Sequence, residues 1–471
     1  MNAIRLTAGS IAAAMRGARA RIVSGDPDRE CSGVSIDTRT LAPGELFVAI
    51  RGERFDGAAF AATAIEKGAA GVVVPRGWEG GRANRPAIIE VDDTTAALQE
   101  LAASIRQESG TKVVAITGSA GKTTTKELTA ELLAVRYRVI RNRGNFNNHI
   151  GLPLSLIELR QRPEMAVVEL GMSHAGEVST LVRIAQPDVR VWTNVGDAHL
   201  GFFASVDAIA DAKAEILEYA SASTVLVSNA DDPRIVKRTG GFAGRRVTFG
   251  IDHDADVKAV EVVDRGVEGT TARVETAVGR VDLTVPLVGR ANLSNVLAAT
   301  AVALDFGVPL AAIAERVAHV TPASHRGEVI RLPDGVTMID DSYNANPAAT
   351  ARALEVLAHA AASRRIAVLG EMLELGEHAV ALHEEVGRAV AAGGPRPIDV
   401  LYTVGGAPAE AMAHAAIAAG MARSAVRHFE TSQAAAEALI ALASRGDLVL
   451  VKGSRGVRMD NVVERVKAER G

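Results

Sequence analysis

The stretch Thr117-Gly118-Ser119-Ala120-Gly121-Lys122-Thr123-Thr124 constrains this chain more than any other, because it stands between an apolar run at 113–117 and a helical pattern over 125–133. A strand that turns through two glycines straight into a helix points to an open α/β sheet. The glycines let successive backbone N–H groups close around phosphate oxygens, and the helix N-terminus adds positive potential. Lys122 has the length to reach terminal phosphates, and Thr123 is placed to touch Mg²⁺. Ile116 occupies the place of the first glycine of the strict GxxxxGKT pattern, so a shortened phosphate loop is implied.

The rest of the chain agrees with an α/β class. Its 471 residues suggest about three domains. Apolar runs at 113–117, 165–170, 189–195 and 224–229 alternate with helical patterns and read as buried parallel strands with polar C-terminal ends. Between about 247 and 287 the period switches to two, which suggests a small antiparallel annex before a helix over 292–306. Upstream, strands are expected at 45–50 and 71–75 and helices at 58–67 and 93–105, with a break at Ser109-Gly110. After Pro322 a third alternating series begins, with strands at 336–340, 364–369, 400–404 and 448–451 and no GxGxxG turn. The expectation is a mixed α/β N-terminal domain over 1–110, a central P-loop domain with a doubly wound parallel sheet over 111–321, and a Rossmann-like C-terminal domain over 322–471.

Composition narrows the partners. The net charge of −4 leaves no basic excess to neutralise a phosphate backbone, so nucleic acid is not an expected partner. The single cysteine, Cys31, allows no internal disulfide and no zinc-knuckle spacing, as in a reducing compartment. The apolar stretch at 11–15 is far short of a membrane span. A cytoplasmic protein without stable membrane insertion is expected.

Further chemistry-bearing residues fall at strand ends. Gly144 to Pro153 forms an asparagine-rich loop in which the amides of Asn145, Asn147 and Asn148 suit either a carbonyl or sugar hydroxyl of a ligand, or a plain turn. Glu169 ends an apolar strand where P-loop enzymes present a carboxylate to Mg²⁺. Thr193-Asn194, then Asp197 and His199, end the next strand in the same manner. Lys213 lies in a helical pattern over 207–219 and reads by default as a solvated lysine. Asp340-Asp341-Ser342-Tyr343-Asn344-Ala345-Asn346-Pro347 follows a strand and opens a helix, so it offers an acceptor for ribose hydroxyls, with N-capping explaining part of the pattern. Lys452-Gly453-Ser454-Arg455 follows the last strand, where a cation meets phosphate or carboxylate, or closes a surface turn.

Taken together, Gly144–Pro153 (GNFNNHIGLP), Asp340–Pro347 (DDSYNANP), 369–378 (LGEMLELGEH) and 451–456 (VKGSRG) resemble the Mur ligase family, whose members form amide bonds at the expense of ATP in bacterial cell-wall synthesis. The resemblance spans all three domains and is nearest to members that add D-Ala-D-Ala to UDP-MurNAc-tripeptide. It implies an N-terminal domain for the UDP end of the substrate, where Ser35, Thr38 and Arg39 match the pattern and Asn145, Asn147 and Asn148 join the substrate contacts. It implies that Gly118, Ser119, Ala120, Gly121, Lys122, Thr123 and Thr124 bind ATP, with Asn292 facing adenine and Arg326 and Asp340 holding the nucleotide. Glu169, His199 and Lys213 enter the metal site beside Thr123, with Lys122 among the catalytic residues. Two Mg²⁺ ions are expected, with Lys213 carried as an N-carbamate. Ala291 stands where a histidine is usual in the family, and His149 where glutamate is common.

The resemblance implies attack of a peptide carboxylate on the γ-phosphate, an acyl phosphate, and its capture by the amine of D-Ala-D-Ala, in a monomeric enzyme. The rivals are another amide ligase of the same superfamily and a P-loop ATPase that only hydrolyses nucleotide. The second rival predicts an aspartate at the end of the strand where Glu169 stands, and leaves the third α/β domain without a use.

Overall fold

The computed structural model describes residues 3–52, 55–80, 86–142, 144–198 and 200–471. In chain order the strands of the main N-terminal sheet are β1 (Arg21–Ser24), β2 (Val34–Ser35), β3 (Leu46–Val48), β4 (Gly71–Pro75) and β5 (Ala87–Val91), followed by α1 (Thr94–Ser109). Next come β6 (Lys112–Thr117), α2 (Lys122–Leu133), β7 (Val139–Arg141), β8 (Met165–Glu169), β9 (Val189–Trp192), α3 (Val206–Ala214) and β10 (Val225–Asn229). Then follow β11 (Arg245–Gly250), β12 (Val257–Asp264), β13 (Thr270–Thr276), β14 (Gly279–Val285) and α4 (Arg290–Asp305). The last series is β15 (Glu328–Arg331), β16 (Thr337–Asp341), α5 (Pro347–His359), β17 (Arg364–Gly370), α6 (Ala379–Ala392), β18 (Val400–Val404), β19 (Val426–Phe429) and β20 (Asp447–Lys452).

Three sheets organise these elements, in the orders β1-β5-β4-β3-β2, β14-β13-β12-β11-β10-β9-β6-β8-β7 and β15-β16-β20-β17-β18-β19. In the second, β6 stands where the order reverses, with β8 on one side and β9 on the other. Such a switch point opens a crevice beyond the strand ends, which is where α/β sheets bind ligands. The phosphate loop follows β6 directly.

The chain divides into two compact units. The first comprises Met1–Ile116, Tyr137–Arg190 and Glu215–Thr224. Phe47, Val72, Val74 and Ile88 of its N-terminal sheet pack in one apolar cluster with Ala61 and Ala64. Asp93 caps α1 by accepting from Thr95 N (2.7 Å) and Ala96 N (3.0 Å), a contribution of about 1 kcal/mol. Gly110, at φ +69°, ends the helix in the left-handed conformation that glycine adopts without strain. Asp188 then ties α1 to β6, accepting from Arg106 Nη2 (2.8 Å), Lys112 Nζ (2.7 Å) and Val113 N (2.9 Å).

The second unit comprises Thr117–Arg136, Val191–Ala214 and Val225–Gly471. Within it α2 packs on α4, and the last sheet is sandwiched between two apolar layers, one around Val368, Val449, Val451 and Leu439, the other around Leu369, Leu401, Leu450 and Met412. Residues on one strand face opposite layers because side chains alternate along a strand.

Several expectations need correction. The antiparallel annex is no separate body: β11 pairs in parallel with β10 and with β12, and only β12–β13 and β13–β14 are antiparallel. The helix expected over 207–219 stops at Ala214, and a 3-10 turn, Glu215–Leu217, follows. The helix expected over 93–105 runs four residues further, to Ser109. Strand β19 was not anticipated, since Val426-Arg427-His428-Phe429 is too polar for a buried parallel run and succeeds as an edge strand. Among the described residues no helix is long and apolar enough to cross a membrane.

Candidate active site

The phosphate loop takes its shape from its two glycines. Gly118 has φ +155° and a Cβ there would collide with Thr193 Oγ1; Gly121 has φ +77° and a Cβ would collide with the Asn295 side chain. Any other residue at either place would push the loop off its neighbours. Lys122 starts α2 and donates from Nζ to the Gly118 carbonyl at 2.8 Å, so the cation is folded back over the loop. Behind the loop, Thr125 Oγ1 donates to Asn295 Oδ1 (3.2 Å), which joins α2 to α4.

The segment after β9 is bonded along the loop. Thr193 N donates to the Thr117 carbonyl (3.0 Å), Ser119 N donates to the Asn194 carbonyl (3.0 Å), and Ser119 Oγ accepts from Gly196 N (2.8 Å). Asp197, next in line, accepts from Ala348 N at the start of α5 (3.3 Å), and burial raises its carboxyl above the ordinary aspartate range. His199, expected in the metal site, lies outside the described residues.

In the first unit, Glu169 ends β8 opposite Ile116, the residue before the phosphate loop, and is 4% exposed. Asn147 donates from Nδ2 to Glu169 Oε1 at 2.8 Å, and Asn142 Oδ1 accepts from Glu169 N at 3.0 Å. The other two asparagines of this loop are engaged differently. Asn148 Oδ1 accepts from Ile150 N (3.2 Å) and Gly151 N (2.8 Å) at the start of the helix Gly151–Ile157, while the Asn145 carbonyl accepts from Asn147 N (2.7 Å).

Lys213 departs from the default reading of a solvated lysine: it is 1% exposed, near the end of α3. An ammonium so deeply buried requires anionic or polar company, or a chemical change that removes its charge. Among the described residues there is no cluster of three histidine, cysteine or acidic side chains that could hold a metal ion.

The loop after β16 is a built polar structure. Asp340 is 1% exposed, and its carboxylate accepts from Ser342 Oγ (2.6 Å) and Ser342 N (3.1 Å) and pairs with His325 Nδ1 (2.7 Å). Asp341 instead accepts from Lys452 Nζ at 2.6 Å, and the same ammonium donates to the Asn344 carbonyl (3.0 Å). The Arg326 guanidinium lies 4.0 Å from the Tyr343 ring centre and that of Arg455 5.4 Å, so two of the cations expected near bound phosphate gather on one aromatic ring. Asn292, on the first turn of α4, donates to the Val288 carbonyl (2.9 Å) and accepts from Asn295 Nδ2 (3.2 Å).

In the turn after β2, Arg39 is an exposed guanidinium in a two-point pair with Asp37, with Nε to Oδ1 at 2.9 Å and Nη2 to Oδ2 at 2.6 Å. The side-chain hydrogen bond from Arg39 holds the Asp37 carboxyl down to about 2. Ser35 Oγ accepts from Asp37 N (3.2 Å) and donates to its carbonyl (3.1 Å), and the Thr38 carbonyl accepts from Lys67 Nζ (2.7 Å).

Sequence reasoning missed the residues that support the site rather than face it. Asn295 stands behind Gly121, where a Cβ would meet its side chain. His383, fully buried, accepts at Nε2 from Met372 N (2.9 Å) and donates from Nδ1 to the Ala379 carbonyl (2.7 Å). The only signal for His383 in the sequence is a polar residue on the inner face of a helix.

Comparisons with known proteins agree across the chain. The family models described as Mur ligase family, catalytic domain; Mur ligase middle domain; and Mur ligase, glutamate ligase domain match residues 30–106, 116–303 and 325–455. A UDP-N-acetylmuramoyl-tripeptide--D-alanyl-D-alanine ligase of Bacillus subtilis (strain 168) is 35% identical over 444 residues, which are 92% of each chain. A crystal structure of MurF from Acinetobacter baumannii superposes with a TM-score of 0.88 at 30% identity, covering 99% of this chain and 100% of that one. The MurF ligase of Thermotoga maritima in complex with ADP superposes with a TM-score of 0.81 at 29% identity, covering 93% and 97%.

Proposed function

The chain belongs to the Mur ligase family, and on that premise we propose that it joins D-Ala-D-Ala to UDP-MurNAc-tripeptide, at the expense of ATP, to give the pentapeptide precursor of peptidoglycan. The observation that carries this reading is the bonding of the segment after β9 to two places at once. Through Ser119 and Gly196 it holds the phosphate loop, and through Asp197 and Ala348 N it holds the start of α5, the helix opened by the DDSYNANP loop. Gly201 N donates in addition to the Glu374 carbonyl (3.1 Å), in the loop after β17. A hydrolytic P-loop protein has no use for a second α/β layer joined to its phosphate loop, whereas a ligase needs a place for a second substrate.

In this reading 1–110 holds the UDP end of the acceptor through Ser35, Thr38 and Arg39, 111–321 binds ATP, and 322–471 brings Arg326 and Asp340 to the nucleotide. The relative whose structure holds ADP supports the nucleotide assignment. The chemistry follows from what an amide bond requires. A carboxylate oxygen of the tripeptide attacks the γ-phosphorus in line, breaking its bond to ADP and leaving an acyl phosphate. Lys122 offsets the charge on the transferring group. The free amine of D-Ala-D-Ala then attacks the acyl carbon, the carbon–oxygen bond to phosphate breaks, and the amine proton leaves with a base. Water must be excluded, since it would hydrolyse the intermediate, and the bonds from Asp197 and Gly201 to the third domain are suited to hold the site shut.

The residues fit Mg²⁺. Glu169 offers a buried, oriented carboxylate and Thr123 a hydroxyl, and Mg²⁺ in phosphate sites takes only one or two protein carboxylates beside phosphate and water. When bound, the ion neutralises phosphate charge. His199 and Lys213 complete the proposed ligand set for two ions. Lys213 fits an N-carbamate: the neutral amine adds to CO₂ with loss of a proton, turning a buried cation into an anion. The proposed protein acts as a cytoplasmic monomer.

The test is phosphate release from ATP with each substrate omitted in turn. Release that needs both UDP-MurNAc-tripeptide and D-Ala-D-Ala, with a pentapeptide product by mass, supports the reading. Release indifferent to both returns the chain to a hydrolytic P-loop protein.

A further inference from the structure

Asn194 stands two residues after the buried end of β9 and meets the phosphate loop with its side chain as well as its backbone. Its Oδ1 accepts from Ala120 N at 2.8 Å, and its Nδ2 donates to the Ala120 carbonyl at 2.9 Å. The carboxamide therefore pairs with both polar atoms of one loop residue, as a neighbouring strand would. This reciprocity fixes the orientation of the amide, because an N–H needs an acceptor and a carbonyl needs a donor. Thr193 Oγ1 gives the Ala120 carbonyl a second donor at 2.9 Å, and the Asn194 carbonyl accepts from Ser119 N at 3.0 Å. The clamp is itself anchored: Asn229 Nδ2 donates to the Thr193 carbonyl (2.8 Å), and Val195 N donates to Asp232 Oδ2 (2.7 Å).

From this arrangement, and resting on the nucleotide reading of the loop, we infer that Asn194 is a positioning residue that decides which backbone N–H groups of the phosphate loop face the nucleotide. The N–H groups of Ser119 and Ala120 are turned back into the protein and do not serve the anion. The cradle is made from Gly121 onward, where the start of α2 presents its first N–H groups and its positive end. The cradle is thus preformed rather than assembled around the ligand, and little conformational freedom is lost on binding.

The neutral carboxamide is essential to this role. An aspartate of the same shape keeps the acceptor for Ala120 N but loses the donor, sets an anion against the Ala120 carbonyl, and adds negative charge beside a polyphosphate site. An alanine removes the clamp without adding charge. Asn194→Asp must therefore be worse than Asn194→Ala, an order that loss of packing alone does not produce.

The experiment measures ADP binding to the intact protein by calorimetry, then KM for ATP and for D-Ala-D-Ala. Asn194→Ala is expected to weaken ADP about tenfold, the size of a lost and unsatisfied hydrogen-bond pair, and Asn194→Asp more. KM for ATP should rise in step while KM for D-Ala-D-Ala stays within about twofold. Two results overturn the inference: ADP binding within twofold of the parent in both variants, or losses for all substrates that track a falling melting temperature. Asn194→Ser, small and neutral, replaces any variant that fails to fold and is held to the same two criteria. Because ADP binding needs no acceptor peptide, the result stands apart from the ligase reaction itself. A parent chain that binds no ADP overturns the nucleotide reading and this inference with it.

Discussion

Asn147 donates its side-chain N–H to the Glu169 carboxylate at 2.8 Å, and this bond decides what Glu169 can do. It fixes one oxygen of a buried carboxylate. In metal sites such supporting bonds orient the ligand, and losing one typically costs 10–100-fold in affinity or activity.

Asn147→Leu is therefore expected to lower activity roughly 10–100-fold at fixed Mg²⁺ and to raise the Mg²⁺ concentration for half-maximal rate. A Mg²⁺ titration of ATP turnover checks it. An unchanged Mg²⁺ requirement would remove Glu169 from the proposed metal site.

The phosphate loop was legible in the sequence because its constraints are local: two glycines, a lysine and a hydroxyl within eight residues, between a strand and a helix. Strands β4 and β18 fall on the expected residues because continuous apolar runs bounded by turn residues leave little choice. The continuity of β11 with β10 was not legible, because strand pairing is chosen over distance and the period-two pattern reports only which faces are buried. Nor was the partner of Asn194, since Ala120 lies 74 positions away. Lys213 looked like a surface lysine because its burial depends on what packs around α3, which no local pattern records.

Lys452 and Asp341 form a pair in which the lysine side chain is 4% exposed and the aspartate 25%. Removing only the cation leaves a poorly solvated anion. Lys452→Met is expected to destabilise the protein by about 2–3 kcal/mol, below the full cost of breaking a buried pair because Asp341 reaches water. Denaturant unfolding reads this, and Asp341→Asn in the same chain should recover part of the loss.

His383 provides a test by pH. Burial lowers its pKa below the ordinary 6.5, outweighing the hydrogen bond to Ala379 and the charge of Glu371, which favour the cation. Because the folded value lies below the unfolded one, its contribution is fully present above about pH 6.5 and is lost as pH falls through the window beneath. Protonation at Nε2 would also break the bond from Met372 N. The melting temperature of the parent should fall more between pH 7.5 and 5.5 than that of His383→Gln, by about 2–4 °C. Equal falls would mean that His383 does not titrate in this window.

Lys213→Ala is expected to abolish turnover, and short carboxylates such as acetate or formate to restore part of it by filling the place of the proposed carbamate. Mass spectrometry of the intact parent under CO₂ gives a second reading. Full activity of the unaided variant would deny Lys213 any role in the site.

In the proposed reaction a peptide carboxylate, not water, attacks ATP. Labelling both oxygens of that carboxylate with ¹⁸O in UDP-MurNAc-tripeptide and weighing the phosphate released in the presence of D-Ala-D-Ala tests it most directly. An acyl phosphate predicts phosphate carrying one ¹⁸O and an amide retaining the other. Unlabelled phosphate, with both labels left on the acceptor, would contradict it.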